Sequence, residues 1–251
     1  MNFKLSEEQS MLKESVSRFV RERYDFDMRK EVIKTAGGYS PDYWSTFAEL
    51  GWLSIPFAEK YGGFGGTIED VAVVMEEMGK GIVVEPYIPT VLMLGQLLSL
   101  SRNDPLKEKY IPKIIDGSCL GAFAFLERQA RYQFTDIRTT GTQQGGHFIV
   151  NGEKAVVFNG GNADVIAITV RSSGEQCDRH GVTVLFLESD TPGIEITSYQ
   201  MMDGQMAANM VFKDVLVPHN NVLGTVNSGT ELVEAMIPLV LLASSAEALG
   251  I

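Results

Sequence analysis

The 251 residues carry 21 Lys and Arg against 32 Asp and Glu, a formal net charge of -11. With no cluster of basic residues to neutralise phosphates, this balance argues against a nucleic-acid partner. A hydrophobic share of 45% gives the chain enough apolar surface for a sizeable core, and its length suits one large domain or two to three packed units.

In chain order, helices come first. Ser6 and Gln9 have capping-box spacing, and Met11, Leu12, Val16, Phe19 and Val20 then recur at helical period. Ser40-Pro41 marks a second helix start, and Thr67 a third, with Ile68, Val71, Val74 and Met75 on one face. Tyr87 to Leu100 is apolar nearly all round and predicts a helix buried in a bundle. After Asp116-Gly117 the period becomes that of strands, predicted at 121–125, 147–150, 165–170, 182–187, 194–197 and 209–217. Gly145-Gly146 and Asp178 to Gly181 supply turns between them. Ser228 with Glu231 repeats the capping-box pattern and opens a last helix. The apolar run Ala235 to Leu242 within it is too short to span a bilayer and predicts a buried helix with no membrane association.

Segregated helical and strand blocks predict an α+β fold with segments 1–118, 119–227 and 228–251. The Gly-rich string YGGFGGT follows no strand and lacks GxGxxG spacing, so it reads as a turn between helices. No P-loop and no GxSxG elbow occurs. Cys119 and Cys177 lack metal-ligand or CxxC spacing and read as reduced thiols of a cytoplasmic protein. His147, His180 and His219 are scattered and predict no metal site. Acidic residues from Glu7, with no apolar run before them, predict no targeting peptide.

The segment NGEKAVVFNGGNADV (Asn151 to Val165) resembles the NGEKxWITNGxxAD segment of the acyl-CoA dehydrogenase family, and GAFAFLE (Gly121 to Glu127) stands where that family has TEPGAGSD. LSEEQSMLKESVSRFV, ELGWLSIPFAEKYGGFGG, GVTVLFLESDTPGIEI and MVFKDVLVPHNNVLG resemble further family segments in the required order, covering essentially the whole chain. The resemblance implies a helical N-terminal domain, an antiparallel β-barrel or sandwich, and the first helix of a truncated C-terminal bundle. ERQARY, RYDFDMRK and FAEKYGGFGG are also similar to the small subunits of pimeloyl-CoA dehydrogenase-like heteromeric enzymes.

The implied activity is α,β-dehydrogenation of an acyl-CoA thioester with FAD, as in fatty acid metabolism, by a truncated subunit expected to be inactive alone; the alternatives are a non-catalytic structural or binding subunit with the same fold, or an inactive fragment. A carboxylate takes the α-proton and the β-hydride passes to the flavin. By this resemblance the cofactor-contacting positions are Phe125, Leu126, Glu127, Arg131, Tyr132, Val156, Val157 and Phe158. Leu126 and Phe158 replace hydroxylated residues, Val156 replaces a Trp, and Arg128, Gln129, Arg131 and Tyr132 replace small ones. Arg128 and Arg131 suit a phosphate or a dicarboxylate tail, or they simply face solvent. No catalytic base is expected in the chain. Val240 occupies the position of a minority family base, while Glu231, Glu234 and Glu247 read respectively as a helix cap, a solvent-facing charge and a residue of the final turn. The expected partners are acyl-CoA and a large dehydrogenase subunit, or self-association through the last helix.

Overall fold

The computed structural model describes residues 4–251. Helix α1 (Glu7–Arg23) begins as predicted, with the Ser6 hydroxyl accepting from the Gln9 N–H while the Gln9 side chain accepts from the Ser6 N–H. Helices α2 (Phe26–Val32) and α3 (Pro41–Glu49) follow, capped by Asp25 and Ser40. Phe19 packs edge-on against Tyr43, Phe47 and Trp52, with ring centroids 5.3–5.5 Å away, a geometry that suits the aromatic quadrupoles. Helix α4 (Ile68–Gly81) carries a second capping box, Thr67 with Asp70. It is fastened to α1 by Gln9 on Asp70 at 2.9 Å and Lys13 on Glu76 at 3.2 Å.

The apolar stretch after Tyr87 starts as a π-helix (Ile88–Leu94) and continues as α5 (Gly95–Leu100). Every residue from Pro89 to Leu94 is buried, as the all-round apolar pattern demands. Thr90 binds Gly121 twice, its hydroxyl donating to the carbonyl at 3.3 Å and accepting from the N–H at 3.2 Å. Helix α6 (Asp104–Ile115) completes the helical half.

The strands are β1 (Gly121–Ala124), β2 (Thr140–Gln144), β3 (His147–Phe158), β4 (Val165–Arg171), β5 (Val182–Glu188), β6 (Ile194–Gln200), β7 (Met206–Pro218) and β8 (Val222–Leu223). They form one sheet in the order β6-β7-β3-β2-β4-β5-β8, with β1 beside β4. Gly145 and Gly146, both at positive φ, make the two-residue hairpin between β2 and β3. The sheet is mixed, where the family resemblance implies an antiparallel one. β1 and β2 share one edge of β4 and both run parallel to it, β1 along Val165–Ile168 and β2 at Arg171. The chain leaves that edge after Ala124 and regains it at Thr140.

Alternation along β4 serves two cores. Ile166, Ile168 and Val170 meet Phe148, Val150, Met210 and Phe212 from the β3–β7 half, so the sheet curls over itself. Val165 and Ala167, with Val184 and Phe186, instead join the aliphatic and aromatic core of the helical half. Successive strand residues point to opposite faces, and here both faces are covered.

Helix α7 (Gly229–Gly250) packs one face on α4. A Cβ on Gly79 would overlap the carbonyl of Glu247, and one on Gly250 would overlap that of Glu76. Glycine at both positions lets the two backbones approach. The Ser228 side chain makes no cap, contrary to the capping-box expectation, because its hydroxyl bonds nothing at the helix start. Of the run Ala235 to Leu242, expected to be buried, only Met236 is; Ala235, Pro238, Leu241 and Leu242 are exposed, and the other buried side chains of the helix, among them Leu232, Val233 and Ala243, lie outside that run. The apolar stretch is longer than Ala235 to Leu242 and, by length and composition, α7 could cross a membrane.

Candidate functional site

The gap between β1 and β2 is filled by side chains. Glu127, in the loop leaving β1, turns back and accepts the N–H of Arg138 at 2.8 Å and of Thr139 at 3.1 Å, replacing ladder partners that β1 no longer provides. Gln129 adds a third donor at 2.8 Å. From β3, the Lys154 ammonium reaches Glu127 at 2.8 Å and the Thr169 hydroxyl at 3.0 Å. Burial alone raises the Glu127 carboxyl, but the Lys154 charge and these donors outweigh it and hold the group down at about 2. Burial also depresses Lys154, to about 8, despite the attraction of Glu127. Both remain ionised at neutral pH, neutralise one another, and act as framework.

Above this pair lies a cleft of about 600 Å3 between the loop 127–139 and strands β3, β6 and β7, within the ordinary size range of small-molecule sites. Arg128 and Arg138 stand exposed on its rim, and Thr197 and Asn209 line its far side. The two motif segments meet beside it, where the Ala155 N–H donates to the Leu126 carbonyl at 2.9 Å. Between Lys154 and Val157 the β3–β7 register slips. Val156 sits in that bulge at φ 51, a left-handed conformation that β-branched residues rarely hold. Its N–H reaches the Asn209 side-chain oxygen only at 3.4 Å.

The eight resemblance-derived positions divide sharply. Only Glu127 lines the cleft. Leu126 and Phe158 are half-buried, Val156 is exposed, and Phe125 stacks on Phe123 at 4.9 Å between centroids. Val157 points into the sheet core, so its side chain is closed to any ligand. Arg131 and Tyr132 project from the loop into solvent, Tyr132 fully. Sequence reasoning missed Lys154, Arg138, Thr139, Thr197 and Asn209. Lys154 had a signal: Phe148, Val150, Gly152 and Lys154 alternate on one face, so a period of two places the lysine inward.

The carboxylates of α7 lie elsewhere. Glu231 is exposed, and its N–H merely donates to the Ser228 carbonyl. Glu234 is not a free surface charge: it pairs with the Arg179 guanidinium, which lowers its pKa. Glu247 faces a different, smaller pocket.

The frame is thus a helical half, a curled mixed sheet and a closing helix, with Arg128 and Arg138 on the rim of a cleft over the seam between two motif segments. The acyl-CoA dehydrogenase N-terminal domain profile matches residues 6–118 and the middle-domain profile residues 122–215. The chain belongs to the acyl-CoA dehydrogenase family. It is 30% identical over 234 residues to the probable acyl-CoA dehydrogenase YngJ of Bacillus subtilis, covering 91% of this chain and 61% of that relative. It is 31% identical over 258 residues to mitochondrial isovaleryl-CoA dehydrogenase of Pongo abelii, covering 98% and 60%. The chain therefore spans about three fifths of the length of these curated relatives. Butyryl-CoA dehydrogenase from Megasphaera elsdenii superposes with a TM-score of 0.90 at 25% identity, over 100% of this chain and 67% of that one. The FAD complex of PigA shares the fold with a TM-score of 0.91 at 24% identity, covering 100% and 66%.

Proposed function

We propose that this chain is a subunit of an FAD-dependent acyl-CoA dehydrogenase that removes the α-proton and β-hydride of an acyl-CoA thioester, working with a larger subunit that supplies the base. The observation that carries this reading is the cleft where the Gly121 and Asn151 segments meet, with Arg128 and Arg138 at its mouth. The residues fit a dinucleotide cofactor. Two guanidiniums suit a diphosphate, while Leu126, Val156 and Phe158, which lie beside the cleft and not in its lining, would offer apolar contact to a ring that extends past its edge. Because Leu126 and Phe158 carry no hydroxyl, polar contacts to such a ring fall to the backbone, with the weakly engaged N–H of Val156 the available donor. When bound, the flavin supplies the hydride acceptor. The chain's own part is to bind, orient and exclude water.

Proton abstraction is assigned to the second subunit, since no α7 carboxylate lines this cleft among the described residues. A second reading, a structural or binding subunit that keeps the fold without catalysis, is favoured by one observation. Seven of the eight expected contacts do not line the cleft, with Val157 closed in the sheet core and Arg131 and Tyr132 in solvent. The visible spectrum of the purified chain, before and after FAD addition and gel filtration, separates the two. A retained flavin band supports the enzyme subunit. A colourless chain that stays colourless with a co-expressed larger subunit leaves only the structural role.

A further inference from the structure

A second pocket, of about 20 Å3, lies where α4, the segment after it, the turn between β6 and β7, and the end of α7 converge. That volume admits one water-sized group. Met75, Met78 and Ile88 form apolar wall, and Glu85, Gln205 and Glu247 supply polar atoms. Glu85 is only 5% exposed. One of its oxygens accepts the Ser40 N–H at 3.3 Å; the other, Oε2, has no partner in hydrogen-bond geometry, although the Tyr24 hydroxyl is close enough to act on the carboxyl. A buried acceptor without a donor is costly, so the pocket is incomplete until a donor enters it.

Charge narrows what can enter. Burial raises the carboxyls of both Glu85 and Glu247; nearby Asp203 adds to the effect at Glu247, while the Tyr24 hydroxyl and the backbone N–H groups of Ser40 and Val84 oppose it at Glu85. The nearby cation, Arg29, directs its guanidinium to the carbonyls of Ile82 and Asp203. An anionic group would meet two acidic side chains with only the Gln205 amide to donate to it, and a methyl group would bury Glu85 with nothing opposite it.

Strand β7 joins this pocket to the cleft. Gln205 immediately precedes β7 and lines the pocket, while Asn209 within β7 lines the cleft. Four residues of extended chain cover about 13 Å, and between them Ala207 and Ala208 pair with Phe158 and Val157 of the candidate flavin-contacting stretch.

We propose that the Glu85–Glu247 pocket receives a hydrogen-bond donor, a hydroxyl or ammonium, at the tail of the acyl group, making Glu85 a specificity-determining residue for donor-tailed acyl-CoA esters. The inference rests on the acyl-CoA reading above. It is tested by calorimetric binding of three CoA esters matched in chain length, one alkyl, one ω-hydroxy and one ω-carboxy, to the chain in whatever complex it purifies. The ω-hydroxy ester is expected to bind on the order of 10-fold tighter than the alkyl ester, and the ω-carboxy ester more weakly than either. Glu85→Met should abolish the hydroxyl preference while leaving alkyl binding equal or tighter. Should that variant fail to fold, Glu247→Gln, at a half-buried site, should reduce discrimination against the carboxylate tail.

Equal binding of the three esters, or a hydroxyl preference that survives Glu85→Met, overturns the inference and leaves the acyl-CoA reading standing. Binding of none of them overturns both.

Discussion

Lys154 extends from β3 to place its ammonium 2.8 Å from the Glu127 carboxylate, and solvent reaches almost none of either side chain. The pair closes the notch where β1 ends and β2 has not begun. Removing one partner strands the other as a buried charge. Lys154→Met is expected to cost about 3–5 kcal/mol, read as a lower urea midpoint. The double variant Lys154→Met, Glu127→Gln should recover part of that loss, because the bare charge is gone.

Acid should weaken the fold through the same pair. The Glu127 carboxyl is depressed from 4.5 to about 2 in the folded chain, so its stabilisation is fully present above pH 4.5. It is lost as pH falls from there through 2, where the unfolded chain binds the proton more readily. The contribution is on the order of 2–3 kcal/mol. Denaturant titrations between pH 5 and pH 2 should show a steeper loss for the wild type than for Glu127→Gln, and parallel curves would refute the shift.

Val156 holds a left-handed conformation that glycine adopts freely. Such strain costs about 1–3 kcal/mol, more than the small, partly exposed side chain gains by packing. Val156→Gly should therefore raise stability by about 1 kcal/mol, seen as a higher thermal midpoint. A lower midpoint would mean that the side chain contributes more than the strain costs.

The α4–α7 crossing tolerates no side chain at Gly79. Gly79→Val should push α7 away and cost about 1–3 kcal/mol. Hydrogen exchange should accelerate along Gly229–Gly250 while β4 and β5 keep their protection.

Arg128→Ala combined with Arg138→Ala should weaken FAD binding about 10-fold or more, as expected for loss of charge-assisted bonds, without moving the thermal midpoint of the cofactor-free chain. Unchanged affinity would remove the diphosphate from this rim.

The helix starts were legible because Ser6, Ser40 and Thr67 stand at the head of apolar periodicity, where free N–H groups need acceptors. The β2–β3 hairpin was equally legible from Gly145-Gly146. Strand β2 was not, because TGTQQ leaves four of its five residues exposed and shows no apolar alternation. Helix α6 was hidden by Pro112 within it and by its lysines. At the site, family motifs located the two segments but not the side chains that face the cleft. The bulge at Val156 reverses which residues point inward, so Val157 enters the core while Lys154 completes the ion pair on the inner face. A linear motif carries no record of that reversal.

Thr90 and Gly121 exchange two hydrogen bonds across the change from helix to strand, and Phe123, Val165 and Phe186 pack with Val91, Leu94 and Leu97 in one continuous core. The boundary near residue 118 is therefore topological and not mechanical. Cleaving the chain there would leave two pieces, each with a raw apolar face where it had been joined, and the intact chain should melt in a single step whose calorimetric and van't Hoff enthalpies agree.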